Sequence, residues 1–563
     1  MKAFYTHILL LLCTVSSAFS QTSWTGTAST DWNVSSNWTA GVPTSNIDAI
    51  IGDANFTGAF QPALSGTAAN CKTLTIGTGS TPSALSITKN LNVSGNITIG
   101  SNGTILNSTL NYIITLKGNW SNSGTYTASA STASVTFSGA AQSITGATTF
   151  NGLVINSGST VTLATNIVVN GSLTISGAFD ATTSFSVTGT GALTVNSNGI
   201  LLVKAATFAG NYAVSGIITL NGTSTVNYAS ATINQTISNS FTYGYLRVSG
   251  GMIKTLSGNL PALNSSSNSA GRIYVDAGTL DLSFFTANRG TTVPGGSLTL
   301  AENSFLKIAG TNSFPANFNS VTLASTSTVN YCGTNQTVPK YNYGNLTFES
   351  SSGAAIKTMP TVIMTIAGDF SSGVGSGTSV SFTAGNKITV NKNVNLGAGV
   401  TFNASSYTHT FKANWANNGI YNGGTSTAVF KGTNAMLSGT GSNNFYDLKF
   451  SAAGITAGSS TSISVSGNIS TTGSGIFTHS AGGTTTLTGA SKTVSGSGLK
   501  FFNVIVTGSY STSASFSITG NFTINGTFIA SNNSTVTLNG ISKTLDGTGA
   551  VTFYGLNIIG SIT

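Results

Sequence analysis

The chain has 563 residues, of which 68 are glycine, 39% are hydrophobic and only 6% are charged. Low charge together with this much apolar material excludes a disordered chain, which needs high charge and little to bury. The net charge of +9 comes from single, scattered lysines and arginines, so neither a basic run nor nucleic-acid binding is predicted.

Residues 1–20 have the pattern of a secretory leader. Lys2 gives a positive start, residues 8–15 (ILLLLCTV) form a short apolar core, and Ala18 and Ser20 are small residues at the positions that a signal peptidase reads. Cleavage is expected before Gln21. The apolar core is too short to span a bilayer, and no later stretch approaches eighteen apolar residues, so the mature chain is predicted to be exported without a transmembrane segment.

Residues 21–60 are predicted to form an N-terminal cap or the first coils of a repeat array. Trp24, Trp32 and Trp38 fall within fifteen residues and are three of the five tryptophans in the chain. An end of a stacked array exposes unpaired backbone groups, so a distinct capping sequence is expected there. A carbohydrate-binding aromatic patch is the alternative interpretation of the same tryptophans.

Residues 61–563 contain a repeated motif, in which Gly-Asn and an aromatic residue are followed by three or four residues and a glycine. Examples are GNWSNSG, GNYAVSG, GDFSSG, ANWANNG and GNFTING, which start at Gly118, Gly210, Gly368, Ala413 and Gly520. The repeated region also has a shorter interval. The triplets LVI, LTI and LTV start at Leu153, Leu173 and Leu193, at successive steps of 20 residues. Alternation of apolar and other residues is typical of strands with one buried face.

The fixed step predicts an all-β fold, a parallel β-helix (β-solenoid) with coils of ~20–25 residues and roughly 22–27 coils in all. A series of antiparallel sandwiches is the alternative, but it gives no reason for one triplet to recur at a constant interval. The recurring aromatic residues are expected to form ladders inside the coils, at Trp120, Tyr212, Phe370, Trp415 and Phe522. The last residues, FYGLNIIGSIT, stop in the middle of a repeat, which leaves open that the array is truncated.

Residues that could carry chemistry are few. The two cysteines after the leader, Cys71 and Cys332, are predicted to be free, buried thiols, since they lie 261 residues apart in an elongated array. The one charged window, GRIYVDAGTLDLSFFTANRG, supplies Arg272, Asp276 and Asp281 as the candidate residues if a catalytic or glycan site exists. The alternative interpretation of DAGTLD is an ordinary corner between strands. No cofactor or metal site is predicted.

The tryptophans with their NW-x-x-G-x-P sequence, followed by coils such as GNWSNSGTYTASASTASVTFSG, resemble the repetitive β-strand-repeat proteins exported by Bacteroidetes-type bacteria. More loosely, the chain is similar to autotransporter and filamentous-haemagglutinin-type adhesin passengers. The resemblance covers nearly the whole mature chain and implies a β-solenoid at the cell surface. Family members often carry a C-terminal sorting domain, and its absence from this sequence leaves the export route open.

The predicted function is that of a secreted or bacterial cell-surface protein, a non-catalytic, adhesin-like rod for display or attachment. Its expected partners are surface glycans or other cell-surface proteins, and self-association is compatible with the repeats. The alternative is a glycan-binding or polysaccharide-degrading β-helix, for which acids and aromatic residues from consecutive coils would line a groove.

Overall fold

The computed structural model describes residues 20–57, 59–107, 111–129, 132–373, 379–531 and 533–563, so the predicted leader falls outside it except for Ser20. The chain is nearly all β and forms a parallel β-solenoid of about 24 turns of ~21 residues, which confirms the predicted fold. Among these described residues, helix is confined to a 3₁₀ turn at Ser35–Asn37 and one short α-helix at Phe208–Asn211. No helix within the described ranges has the length and apolarity needed to cross a membrane.

The described chain divides into two compact units. The first contains the described residues up to Ala205 together with Ala209–Ser224, and the second contains Ala206–Phe208 and Thr225–Thr563. In both units the named strands pair in parallel with the strand one turn away.

The first unit has three runs of parallel strands. One run contains nine strands: Gln21–Ser23, Asp48–Ile51, Leu74–Ile76, Ile97–Ile99, Trp120–Asn122, Ala141–Thr145, Thr160–Leu163, Ala178–Asp180 and Ile200–Val203. A second has three strands: Ser83–Ser86, Gly103–Leu106 and Thr125–Thr127. The third has ten: Ala69–Cys71, Leu91–Val93, Ile113–Leu116, Ser134–Phe137, Thr148–Ile155, Ile167–Ile175, Val187–Gly189, Ala192–Val195, Tyr212–Val214 and Ile218–Leu220.

The second unit begins with a run of five strands and a longer run beside it. The five are Thr225–Tyr228, Tyr245–Val248, Arg272–Val275, Ser297–Leu300 and Ser320–Leu323. The longer run has sixteen: Gln235–Ile237, Ile253–Leu256, Thr279–Asp281, Phe305–Ile308, Thr328–Tyr331, Asn345–Phe348, Phe370–Ser372, Val394–Leu396, Trp415–Asn417, Met436–Ser438, Ile455–Ala457, Phe477–His479, Leu499–Phe501, Phe516–Ile518, Thr535–Leu538 and Gly555–Ile558.

Two further runs of eleven strands complete the second unit, with one small pair. The first is Gln336–Thr337, Ala355–Thr358, Val380–Thr383, Val400–Asn403, Ile420–Asn422, Ser442–Phe445, Ser462–Val465, Thr484–Leu487, Asn503–Val506, Phe522–Ile524 and Leu545–Asp546. The second is Asn342–Tyr343, Met364–Ile366, Ile388–Val390, Thr408–Phe411, Thr427–Phe430, Asp447–Phe450, Ile469–Thr471, Lys492–Ser495, Ser509–Thr512, Thr527–Ala530 and Ala550–Thr552. The pair is Ile541–Lys543 with Ser561–Ile562.

The 20-residue spacing of the LVI, LTI and LTV triplets corresponds to one turn of the solenoid in the first unit. Leu153 pairs with Leu173, and Leu173 pairs with Leu193, so the three leucines lie one above another in successive turns. All three are fully buried. Each turn therefore covers the apolar face of its neighbour, which a single turn of ~21 residues has no means of burying alone.

The Gly-Asn-aromatic motif builds the same local structure in both units. Trp120 is buried, and the Asn122 side chain accepts a hydrogen bond from the backbone N–H of Gly124 at 3.0 Å, which shapes the turn before the ring of Tyr126. The Trp120 ring meets the Tyr126 ring edge-on at 5.1 Å. The ANWANNG copy repeats this arrangement with Trp415, Asn417, Gly419 and Tyr421.

The aromatic residues predicted to line the interior, Trp120, Tyr212, Phe370, Trp415 and Phe522, are all buried. Phe370 and Trp415 share the sixteen-strand run and one register position, with Val394 between them. The other three lie in three other runs, so the five do not form one continuous column. Local clusters take its place, for example the edge-to-face contacts of Phe348, Phe370 and Phe382 at 5.3–5.4 Å.

The N-terminal tryptophans pack against one another in the interior. Trp24, Trp32 and Trp38 are at most 4% exposed. Trp38 meets the other two rings edge-on at 5.1 and 4.8 Å, and its indole N–H donates to the backbone oxygen of Trp32 at 2.8 Å. None of the three rings presents a face to solvent, so the geometry favours a packing role over a carbohydrate-binding patch.

Both cysteines of the described chain are free, as predicted. Cys71 is buried, and burial raises the pKa of its thiol well above the ordinary value. Cys332 is half-buried, which corrects the prediction that both thiols are buried, and its sulfur contacts the carbonyl oxygen of Ile308 at 3.6 Å. Burial also raises the pKa of the Cys332 thiol.

A buried polar network is present twice in the second unit, at the two sequence segments that begin STVNY. In one copy the hydroxyls of Tyr228 and Tyr243 lie 3.0 Å apart, and in the other those of Tyr331 and Tyr343 lie 3.2 Å apart. Each copy also contains a fully buried lysine that donates to neighbouring oxygens, Lys254 in the first copy and Lys357 in the second. The shared Ile-Lys-Thr sequence around each lysine identifies them as equivalent positions.

Neither buried lysine forms an ion pair within the described residues. Lys357 donates to the backbone oxygens of Gly333 and Thr334 at 2.9 and 3.0 Å and to the side-chain oxygen of Gln336 at 2.6 Å. Lys254 donates to two backbone oxygens at 2.9 and 3.2 Å. Burial lowers the pKa of each ammonium to about 8, because the charged form loses its hydration.

We expect the contribution of Lys357 to stability to rise with pH. Between pH ~8 and ~10.5 the unfolded chain holds a proton that the folded chain has released, so the free energy of unfolding increases across this window. Urea unfolding of the wild type and of Lys357→Met between pH 7.5 and 10 measures this contribution. The difference between their free energies of unfolding should shift in favour of the wild type by up to about 3 kcal/mol across this range. Lys254→Met should reproduce the trend, and a difference that stays constant with pH would contradict it.

Candidate functional site

Four neighbouring strands of the second unit form a flat parallel surface with one face toward the core. Val226, Leu246, Ile273 and Leu298 lie side by side on the inner face and are at most 1% exposed. Side chains alternate between the two faces of a strand, so the residues between them point outward. The strands are Thr225–Tyr228, Tyr245–Val248, Arg272–Val275 and Ser297–Leu300.

The outward residues of the two central strands are two tyrosines and two arginines in alternating order. Tyr245 pairs in register with Arg272, and Arg247 pairs with Tyr274. The guanidinium carbon of Arg272 lies 4.7 Å from the centre of the Tyr245 ring, and that of Arg247 lies 5.7 Å from the Tyr274 ring. These four residues, called the Tyr–Arg quartet, are therefore held by cation–π contacts between adjacent turns.

An open depression of about 500 Å³ lies over the quartet. Its remaining lining residues are Thr225, Leu246, Ser297 and Thr299. Tyr274 is 39% exposed, so its ring is accessible from the depression. Aromatic rings surrounded by a few convergent polar groups are the usual composition of a ligand site.

The two arginines of the quartet differ in their electrostatic partners. The Arg247 Nε donates to a carboxylate oxygen of Asp276 at 2.5 Å, which neutralises its charge and fixes its orientation. The Arg272 guanidinium forms no ion pair within the described part of the chain. The depression therefore keeps one uncompensated positive charge, next to hydroxyl groups and an accessible ring.

The three residues singled out from the sequence are separated by the fold. Arg272 lies in the depression, whereas Asp276 follows its strand and reaches the depression only through Arg247. Asp281 belongs to the strand Thr279–Asp281 in the neighbouring run and pairs with Lys307 at 3.1 Å. Neither aspartate lines the depression, and a catalytic role for the set stays a prediction.

The DAGTLD segment is a corner between two strands, as its alternative interpretation predicted. The chain leaves one run at Val275 and enters the next at Thr279, turning at Gly278 with φ +80°. A Cβ at Gly278 would lie 2.5 Å from the backbone oxygen of Met252 in the previous turn. Glycine is needed there for its backbone conformation and for the close approach of the turns.

The two other ion pairs of the described residues, Asp48 with Lys72 and Asp180 with Lys204, also join adjacent turns. The sequence separations are 24 residues in both cases, which is one turn of the solenoid. These carboxylates form ion pairs with cations of adjacent turns. A hydrolytic pair would instead face each other across a cleft.

A second depression of about 530 Å³ lies elsewhere in the second unit and is basic. Lys387, Lys431 and Lys449 line it together with Thr408, Thr410, Val429, Ser451, Thr472 and Gly473. It contains no aromatic side chain among these residues. It therefore provides positive charge without a surface for ring stacking, in contrast to the Tyr–Arg depression.

The two histidines of the described chain are interior residues. His409 is fully buried, lies 2.8 Å from the oxygen of Ala404 through Nε2, and accepts a hydrogen bond from the Ile388 N–H through Nδ1 at 3.2 Å. Burial lowers the pKa of His409 and of His479. Over the described ranges, no group of three or more His, Cys, Asp or Glu residues could hold a metal ion.

Tyr245, Arg247 and Tyr274 were missed by the sequence analysis, in which Arg247 was one of the scattered cations. The signal was present as YLR and RIY, two alternating Tyr/Arg triplets in opposite order that the solenoid stacks one turn apart. Comparison of the chain with protein-family models, curated proteins and solved structures finds no match. The solenoid fold that the resemblance implied is thus established by the structure, and the family itself stays a prediction.

Proposed function

We propose that the protein is an exported, adhesin-like attachment protein whose solenoid holds a carbohydrate-binding depression at the Tyr–Arg quartet. The observation that carries the proposal is the quartet itself, since two tyrosines and two arginines are fixed on rigid strands beside three hydroxyl-bearing residues. A site built on strands needs little ordering when it binds, which favours affinity. Export rests on the leader-like sequence of residues 1–20.

A non-catalytic role is supported by the state of the nearby acids. Asp276 and Asp281 are each engaged by a cation from an adjacent turn, at 2.5 and 3.1 Å. An inverting or retaining hydrolase uses one carboxyl as acid and another as base or nucleophile, both directed at the scissile bond. Carboxylates bound to neighbouring cations are suited to holding the turns together and to orienting Arg247.

We expect Tyr274→Ala to abolish most glycan binding by the mature protein. The exposed ring supplies the apolar surface on which a sugar face packs, and its loss also removes the cation–π contact with Arg247. Binding to a glycan array and to whole cells measures the effect, with about a tenfold or greater loss expected. Phe284→Ala is the matched control, because Phe284 is 64% exposed in the same unit and does not line the depression.

Two outcomes would contradict this proposal. Equal loss of binding in Phe284→Ala would show that exposed aromatic surface in general is responsible. Release of reducing sugar from a bound glycan, abolished by Asp276→Asn or Asp281→Asn, would favour the polysaccharide-degrading alternative instead.

A further inference from the structure

We propose that the Tyr–Arg depression binds an acidic glycan, a saccharide chain bearing carboxylate or sulfate groups, with Arg272 as the anion contact and Tyr274 as the stacking surface. This inference rests on the proposed function and names its ligand class. Carboxylate and sulfate share the chemistry that matters here, a planar or tetrahedral group of anionic oxygens that a guanidinium binds through two N–H groups.

Arg272 is the residue suited to the anion. Its guanidinium lies against the ring of Tyr245 at 4.7 Å, which restrains a side chain that would otherwise lose much conformational entropy on binding. Its side chain makes no hydrogen bond and no ion pair within the described residues, so its N–H groups are not committed to a protein acceptor. Arg247 has the opposite role, since Asp276 holds it in place beneath Tyr274.

The dimensions of the depression fit an extended chain lying across the strands. Thr225, Tyr245, Arg272 and Ser297 occupy one register position on four consecutive strands. Strands lie ~4.8 Å apart, so these four residues extend over ~14 Å. A linear oligosaccharide lying along this direction would meet the Thr225 hydroxyl, the paired Tyr245 and Arg272, and the Ser297 hydroxyl in turn. The Tyr274 ring lies beside this row, two residues beyond Arg272 on the same strand.

Charge favours an acidic ligand over a neutral one. Two guanidiniums and no carboxylate line the depression, and Asp276 compensates one of the two. The net charge of +9 makes the chain as a whole attractive to polyanions. A single-stranded nucleic acid would offer rings to stack as well as phosphates, and the experiment below includes it as an outcome.

The test is calorimetric titration of the mature protein at about 0.15 M salt, where weak surface electrostatics are screened. The probes are oligogalacturonate, its fully methyl-esterified form, dextran sulfate, dextran and oligothymidylate. We expect an acidic probe to bind at least tenfold more tightly than its uncharged counterpart. Preference within the acidic pair identifies the group as carboxylate or sulfate.

Variants assign the binding to Arg272. Arg272→Gln should weaken the preferred acidic probe about tenfold or more and leave the uncharged counterpart unchanged, and Arg272→Lys should fall between, because an ammonium lacks the planar fork. The control replaces Lys387, Lys431 and Lys449 with glutamine, which removes more charge at the other depression. The affinity of this triple-lysine variant for the preferred acidic probe should stay within about twofold of the wild-type affinity. Circular dichroism verifies that each variant is folded.

The inference is overturned if charged and uncharged probes bind equally, if the triple-lysine variant loses as much affinity as Arg272→Gln, or if oligothymidylate binds most tightly. Tyr274-dependent binding of neutral glycans alone would refute the acidic ligand and leave the proposed function standing. Absence of binding to every glycan, on the array and in solution, would refute both.

Discussion

Replacing Arg289 with alanine should destabilise the second unit by about 3–5 kcal/mol, although the residue lies in the only charged window of the sequence. Arg289 is 1% exposed. It donates four hydrogen bonds to backbone oxygens, from Nε to Ala270 at 2.9 Å, from Nη1 to Gly290 at 3.2 Å and Val293 at 2.7 Å, and from Nη2 to Ser267 at 2.9 Å.

These carbonyls lie on irregular backbone between strands. The Ser267 oxygen also accepts from the Ala270 N–H at 3.2 Å, so removing the guanidinium deprives chiefly the oxygens of Ala270, Gly290 and Val293 of their donor. Each such buried or partly buried acceptor costs about 1–3 kcal/mol. The surrounding backbone is shaped to the side chain: a Cβ on Gly296, at φ +66°, would lie 2.5 Å from the Arg289 side chain. Alanine at 289 therefore also leaves a cavity that the neighbouring turns are too closely packed to fill.

Urea unfolding measures the loss of stability, and hydrogen exchange of residues 263–296 shows where protection is lost. Arg272→Ala is the matched control from the same sequence window, with an expected change within about 0.5 kcal/mol, because Arg272 is half-buried on the surface. Arg289→Lys should be intermediate, since one ammonium has three donors and no fork. Equal stabilities of the alanine variants at 289 and 272 would contradict the assigned role.

The contrast between these two arginines shows what sequence could and could not predict here. Register was predictable, because Leu153, Leu173 and Leu193 mark one buried column at a step that only stacked turns explain. Whether each charged side chain would be buried or exposed was not predictable. Arg272 belongs to a strand, at a position that the alternation of side chains directs outward. Arg289 lies between strands, where no such alternation predicts the direction of a side chain.

The candidate site was predictable in part, for a related reason. Residues 271–290 were identified as the chemistry-bearing window from charge alone, and its candidate Arg272 does line the depression. Tyr245 and Arg247 lie one turn earlier, and their relation to Arg272 and Tyr274 depends on a turn of 27 residues instead of the usual ~21. Because this turn is longer than the others, a constant repeat length applied to the sequence does not align the YLR and RIY triplets.

Trp415→Ala should destabilise the second unit by about 3–5 kcal/mol, as expected for truncating a large buried aromatic residue. The Trp415 side chain is fully buried and its ring contacts those of Phe411, Tyr421 and Phe430 at 4.7, 5.2 and 5.9 Å. Its indole N–H donates to the side-chain oxygen of Asn443 at 2.9 Å. The lost volume lies among rings held on separate strands, which limits how far they can collapse into the space.

Trp415→Phe separates packing from hydrogen bonding. It keeps a ring in the cluster and removes the indole N–H, while Asn417 still donates to the same Asn443 oxygen at 3.0 Å, so the acceptor remains satisfied. We therefore expect a loss of about 1–2 kcal/mol, due mainly to volume. Urea unfolding with hydrogen exchange over residues 394–445 measures both variants. A phenylalanine variant as unstable as the alanine variant would mean that the indole N–H, rather than the ring, stabilises this copy of the motif.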